Sequence, residues 1–174
     1  MAGNTSTIIR KPHVIEVQDS ITRAATTTTY AAADTISDDE ATPTTAGYVT
    51  FDVAEREGGS VQFIDFTIHK SDNDVSSATF SLLLFTTLPA VAGFKDNLAC
   101  AITDAEMLEC KGIVYISASN WVSVALGNIQ TISQNIGMVM APNSTVVYGV
   151  FVAGSAYIPV ASEVFTFTAH AIQD

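Results

Sequence analysis

Three histidines, His13, His69 and His170, and two cysteines, Cys100 and Cys110, are the residues here best suited to hold a metal ion. Zinc and related ions take ligands at local spacings such as His-x-His, His-Glu-x-x-His or Cys-x-x-Cys, and the chain has none of these, so no shared metal site is expected. Two cysteines make no disulfide framework in 174 residues; they are expected as reduced, packed thiols. Ser71-Asp72-Asn73-Asp74 opens like a calcium loop but lacks the later glycine and glutamate of an EF-hand, and reads as an acidic hairpin turn.

Asp34, Asp38, Asp39 and Glu40 crowd together. Glycosidic acid–base chemistry needs two carboxylates held apart across a cleft, whereas neighbours in sequence form a solvated loop. Ala153-Gly154-Ser155-Ala156 lacks the second glycine of a nucleophile elbow, and no Walker or dinucleotide-binding loop is present. The chain therefore reads as a non-enzyme with no catalytic residues and no cofactor.

What stands out instead is where charge is missing. Residues 112–162 contain no Lys, Arg, Asp, Glu or His, while the whole chain carries a formal net charge of −11. A β-rich surface without charge invites association, so such a stretch is either core or a face covered by a partner. Trp121, Tyr148 and Tyr157 lie in it and are the candidate oligomer contacts, with core as the alternative for each. The acidic balance, 18 Asp and Glu against 7 Lys and Arg, opposes binding to phosphate backbones, so nucleic acid is not an expected partner. No apolar run is long enough to span a membrane, and Thr7-Ile8-Ile9 gives way at once to Arg10-Lys11-Pro12, unlike a signal peptide. Synthesis in a cytoplasm is the expectation.

The elements that would position these residues are strands. Period-two or continuous apolar runs fall at 14–22, 31–36, 47–53, 60–70, 79–86, 112–117, 121–126, 129–140, 146–153 and 164–171. Between Phe63 and Ile64 the alternation changes phase, which predicts a bulge. Phe165 and Phe167 are expected to face the core, with Thr166 and Thr168 outward. One short helix of about two turns is expected after Thr103, because Thr103 and Glu106 form a capping box and Gly112 stands where the helix would stop. Residues 1–12 read as a flexible arm and 13–174 as one domain: an all-β sandwich with one short helix and an N-terminal arm.

Three segments together carry a family resemblance: residues 21–37, ITRAATTTTYAAADTIS; residues 80–85, FSLLLF, leading to Pro89 and Asp96-Asn97; and residues 147–152, VYGVFV, with Ala156-Tyr157-Ile158-Pro159 and Glu163-Val164-Phe165-Thr166. In this order they resemble a family of small virion proteins of tailed bacteriophages, similar to capsid decoration, or cement, proteins. The chain departs from the family's pattern at Arg23-Ala24, where Arg-Pro is usual, and at Ala32-Ala33-Asp34, where Ala-Gly-Asp is usual. The resemblance implies a sandwich of jelly-roll type, a homotrimer, and a place on the outer capsid surface against the major capsid protein. On that reading Ile8, Ile9, Arg10 and Lys11 of the arm contact the shell. The rival reading is a carbohydrate- or receptor-binding module of a head or tail fibre, since jelly rolls host both uses.

Overall fold

A computed structural model describes residues 13–38, 47–71, 79–90, 94–123 and 130–173. The arm, Asp39, Glu40, Asp72 and Asp74 lie outside these residues. Among the described residues nine strands form: β1 (His13–Thr22), β2 (Val49–Asp52), β3 (Val61–Lys70), β4 (Phe80–Phe85), β5 (Cys110–Ile116), β6 (Val122–Ser123), β7 (Gln130–Met140), β8 (Val146–Ala153) and β9 (Val164–Gln173). They pair antiparallel into a five-stranded sheet, β1-β9-β3-β7-β6, and a four-stranded sheet, β2-β8-β4-β5.

Leaving aside the two-residue β6, strands β1-β9-β3-β7 face strands β2-β8-β4-β5, and the chain passes repeatedly from one sheet to the other. That connectivity is the jelly roll, an eight-stranded double-sheet sandwich.

Alternation builds the core. Val61, Phe63, Phe66, Ile68 and Lys70 of β3 point inward, and the phase shift between Phe63 and Phe66 is a bulge: Phe63 pairs with Ala171 and Asp65 with His170, leaving Ile64 as the extra residue. On the other side of β3, Gly137 of β7 has φ +55°, a conformation glycine reaches without steric cost. Phe165 and Phe167 of β9 are fully buried; Thr168 is buried on the opposite face, accepting from Gln18 Nε2 at 3.1 Å. Phe151 of β8 bridges the sheets, its ring 4.9 Å from Phe80, 5.1 Å from Phe165 and 4.9 Å from Phe167. Each such side chain contributes about 1.5–3 kcal/mol on burial.

A second cluster, Phe85, Phe94, Val150 and Val152, covers the outer face of the four-stranded sheet; Cys100 and Cys110 pack at its margin as free, half-buried thiols. Burial raises the pKa of both thiols, which disfavours the reactive thiolate.

Three expectations are corrected. The helix α1 (Asp104–Met107) is a single turn. Its capping box is present, with the Glu106 amide donating to Thr103 Oγ1 and the Thr103 amide donating to Glu106 Oε2 at 2.8 Å. The helix ends early because Cys110 already pairs with Phe85. Gly112 is therefore no helix stop: it lies within β5, where a Cβ would meet the Met138 side chain of β7. Residues 31–36 form no strand but two isolated bridges, at Asp34 and Thr35, with a third just before them at Tyr30, the run being broken by Ala33 at φ +71°. Of the run 121–126, Val122–Ser123 is strand, and residues 124–126 lie outside the described residues.

Candidate functional site

Among the described residues four charged side chains are buried, Arg23, Lys70, Asp96 and Glu163. Arg23 continues the inward phase of Ile21, and Lys70 that of Phe66 and Ile68, so strand geometry carries both cations into the interior. Each meets a carboxylate distant in sequence.

Arg23 Nη2 donates to Asp96 Oδ2 at 3.2 Å, both side chains being fully buried. Asp96 Oδ1 also accepts from the Tyr30 hydroxyl at 2.5 Å and from the Ser37 amide at 3.0 Å. Arg23 Nε bonds the Tyr30 hydroxyl, and Nη1 reaches the carbonyls of Thr26 at 3.4 Å and Val160 at 3.3 Å. Burial, then the hydrogen bond to Asp96, pushes the Tyr30 phenol far above its usual pKa and keeps it neutral.

The second pair is built alike. Lys70 Nζ sits 3.8 Å from Glu163 Oε1 and donates to the Tyr157 hydroxyl at 3.1 Å. That hydroxyl donates to Glu163, its oxygen 2.6 Å from both carboxylate oxygens. The ammonium also lies over the rings of Tyr157 at 4.8 Å and Trp121 at 5.9 Å. Paired backbone bonds join the halves: the Arg23 amide donates to the Glu163 carbonyl at 2.9 Å, and the Tyr30 amide to the Tyr157 carbonyl at 2.9 Å. Two cations and two anions thus close into one buried seam. Such pairing satisfies groups that would be costly to bury alone. With these side chains inaccessible, the seam serves to lock loop and strand segments together.

The sequence-derived interface candidates divide. Trp121 is 7% exposed and Tyr157 1%, both within the subunit core, while Tyr148 is half-buried with its ring edge-on to Tyr48 at 5.6 Å. Of the three, Trp121 and Tyr157 pack in the main core and Tyr148 only partly against the second cluster. Among the described residues of that stretch the exposed large apolar ones are Ile113, Tyr115, Val122, Val139, Ile158 and Val160. Ile8, Ile9, Arg10 and Lys11 lie outside the described residues.

The histidines stay apart, on β1, β3 and β9. His170 lies between two carboxylates on neighbouring strands, Nδ1 at 2.6 Å from Asp65 Oδ1 and Nε2 at 3.1 Å from Glu16 Oε2. These bonds, that to Asp65 foremost, raise its pKa. Among the described residues no group of three or more His, Cys, Asp or Glu is arranged to hold a metal. A depression of about 380 Å³ is lined by Gln18, His69, Lys70, Ser71, Val164 and Thr166, without an aromatic platform. Among the described residues no helix is long and apolar enough to cross a membrane.

No family model matches the chain, and no curated protein matches it. Among solved structures it is similar to a chain of the native virion of Kashmir bee virus, at 10% identity and a TM-score of 0.37, covering 100% of this chain and 80% of that one. It is also similar to a chain of Desmodium yellow mottle tymovirus, at 12% identity and a TM-score of 0.31, covering 99% and 93%. A third is infectious bursal disease virus VP2 from a subviral particle, at 10% identity and a TM-score of 0.27, covering 94% and 37%. Likeness at this level assigns no function.

Proposed function

We propose that this chain is a structural virion protein of a tailed bacteriophage, a decoration protein that binds the outer surface of the head and stabilises contacts between capsomers. The observation that carries this reading is convergence. The three segments that resemble the decoration-like family supply Arg23 and Tyr30, Asp96, and Tyr157 and Glu163, and these five side chains, with Lys70, form the buried seam. Segments distant in the sequence thus act as one structural unit, which supports reading them as a family signature and not as chance likeness.

On this reading the chain has no catalytic role, its partners are the major capsid protein and further copies of itself as a homotrimer, and it is made in the host cytoplasm. The arm contacts the shell through Ile8, Ile9, Arg10 and Lys11, Ile8 and Ile9 supplying apolar contact and Arg10 and Lys11 charge. Several arms on one trimer raise the effective concentration of the rest, so avidity exceeds single-arm affinity by about 10²–10⁴. Deleting residues 1–12 is expected to leave the fold intact and reduce occupancy on purified heads in a pull-down; unchanged occupancy removes the arm from the account.

The fibre-module reading is favoured only by the depression beside His69, whose amide, hydroxyl and imidazole groups suit a neutral sugar. With Trp121 buried, the stacking platform such sites use is absent from it.

A further inference from the structure

We propose that in the free chain residues 1–12 fold back across the outer face of the five-stranded sheet, Ile8 and Ile9 covering Val139 while Arg10 and Lys11 meet Asp65 and Glu16. Two neighbouring rows of that face make the site. In the first, Val14 of β1, Ile172 of β9, Gln62 of β3 and Val139 of β7 are register partners and so share one face. Val14 is 59% and Val139 66% exposed. In the second row Glu16, His170 and Asp65 stand side by side, both carboxylates bonded to the one imidazole. Even with that ring protonated, two carboxylates on one imidazole leave a net negative charge beside the apolar row.

The arm complements both rows. It holds Ile8, Ile9, Arg10 and Lys11 and no carboxylate, and it joins the sheet at His13, whose neighbour Val14 heads the apolar row. Its reach fits as well. Strands lie about 4.8 Å apart, which puts β9, β3 and β7 roughly 5, 10 and 14 Å from β1. An extended chain advances about 3.3–3.6 Å per residue, so from His13 Lys11 reaches roughly 7 Å, Arg10 roughly 10 Å, and Ile9 and Ile8 roughly 14 and 17 Å. Laid across the strands, the arm brings Lys11 beside the Glu16–His170 pair, Arg10 over Asp65 on β3, and the two isoleucines over Val139 on β7.

Each of these contacts is small, since exposed ion pairs contribute about 0–1 kcal/mol. Direct attachment compensates: a short tether holds the arm at an effective concentration in the millimolar range, so contacts too weak between separate molecules suffice within one chain. On the decoration reading the shell competes with this face for the same four side chains, and the arm leaves the sheet when the chain binds a head. That exchange rests on the proposed function, whereas the docking is a property of the purified chain and fails separately.

The test is limited trypsin digestion of the full chain, following cleavage after Arg10 by mass. Val139→Ser removes the apolar contact and Glu16→Gln the charge, both at exposed positions. Each is expected to speed cleavage after Arg10 several-fold over the parent, while the buried Arg23 and Lys70 stay uncut and report an intact fold. Equal rates in parent and variants overturn the docking. Disulfide trapping gives a second readout, with Ile9→Cys paired with Val139→Cys or, as the control, with Ile158→Cys, which is 65% exposed beyond the opposite end of the strands. The expected result is a 9–139 bridge within the monomer at several-fold higher yield than the 9–158 bridge. Equal yields, or a 9–139 bridge found only in dimers, overturn the proposal as well.

Discussion

Tyr30 and Tyr157 stack with ring centroids 6.2 Å apart and planes inclined by 20°, and each phenol belongs to a different buried ion pair. The stack is the point at which Arg23–Asp96 and Lys70–Glu163 become one seam. It also ties the loop after β1 to the loop after β8, since the Tyr30 and Tyr157 backbones bridge at the same place.

Removing one member of either pair leaves a buried charge uncompensated. Glu163→Gln is expected to destabilise the fold by about 3–5 kcal/mol, whereas the double change Glu163→Gln with Lys70→Met recovers a large part of the loss. Denaturant unfolding of the two single variants and the double variant checks this; additive losses contradict a coupled pair.

Ala33 adopts φ +71°, a left-handed conformation that costs a residue bearing a Cβ about 1–2 kcal/mol and glycine almost nothing. This is the position at which the resembled family usually carries glycine. Ala33→Gly is expected to raise stability by about 0.5–1 kcal/mol after the added freedom of the unfolded chain is subtracted. A fall in the melting temperature contradicts it.

The pKa of His170 is raised by its hydrogen bonds to Asp65 and Glu16. A group protonated more readily in the folded state stabilises it fully below the unfolded pKa, and that contribution is lost as pH rises through the folded value. Stability from this site is therefore greater at pH 5.5 than at pH 8.5 in the terms set by a histidine reference near 6.5. His170→Gln is expected to flatten that part of the stability–pH curve; an unchanged slope removes His170 as its source.

Glu106 shifts the other way. Its carboxylate accepts from the amides of Thr103 and Ala90, at 2.8 and 2.7 Å, and from the Thr103 hydroxyl, bonds that favour the charged form and lower its pKa. This contribution is present above the unfolded pKa and is lost as pH falls through the folded one. Glu106→Gln is expected to raise amide exchange at Thr103 and Ala90 at neutral pH, and to leave the rate nearly unaltered at a pH low enough to protonate the parent carboxyl. Equal protection in both proteins at neutral pH contradicts the role.

Much of the fold was legible because period-two patterning reports directly on strands. The bulge at Phe63–Asp65 showed as a phase change, and Phe165 and Phe167 as an inward pair. Helix length was not legible: the capping box marks a start, while the stop is set by the pairing of Cys110 with Phe85 in a different part of the chain. Nor was the break at Ala33, where an alanine run conceals a left-handed residue. The seam escaped notice because charged residues are read by default as surface. The signal was there for the two cations: Lys70 shares the inward parity of Phe66 and Ile68, and Arg23 that of Ile21. Their carboxylate partners come from loops, where alternation gives no direction.

A decoration protein that spans the head lattice must be present in numbers set by that lattice, so copy number decides the proposed role. Quantitative mass spectrometry of purified virions, scaled to the most abundant shell protein, is expected to give a count close to that of the shell subunits. A handful of copies per particle would contradict the decoration role and favour a fibre or tail component.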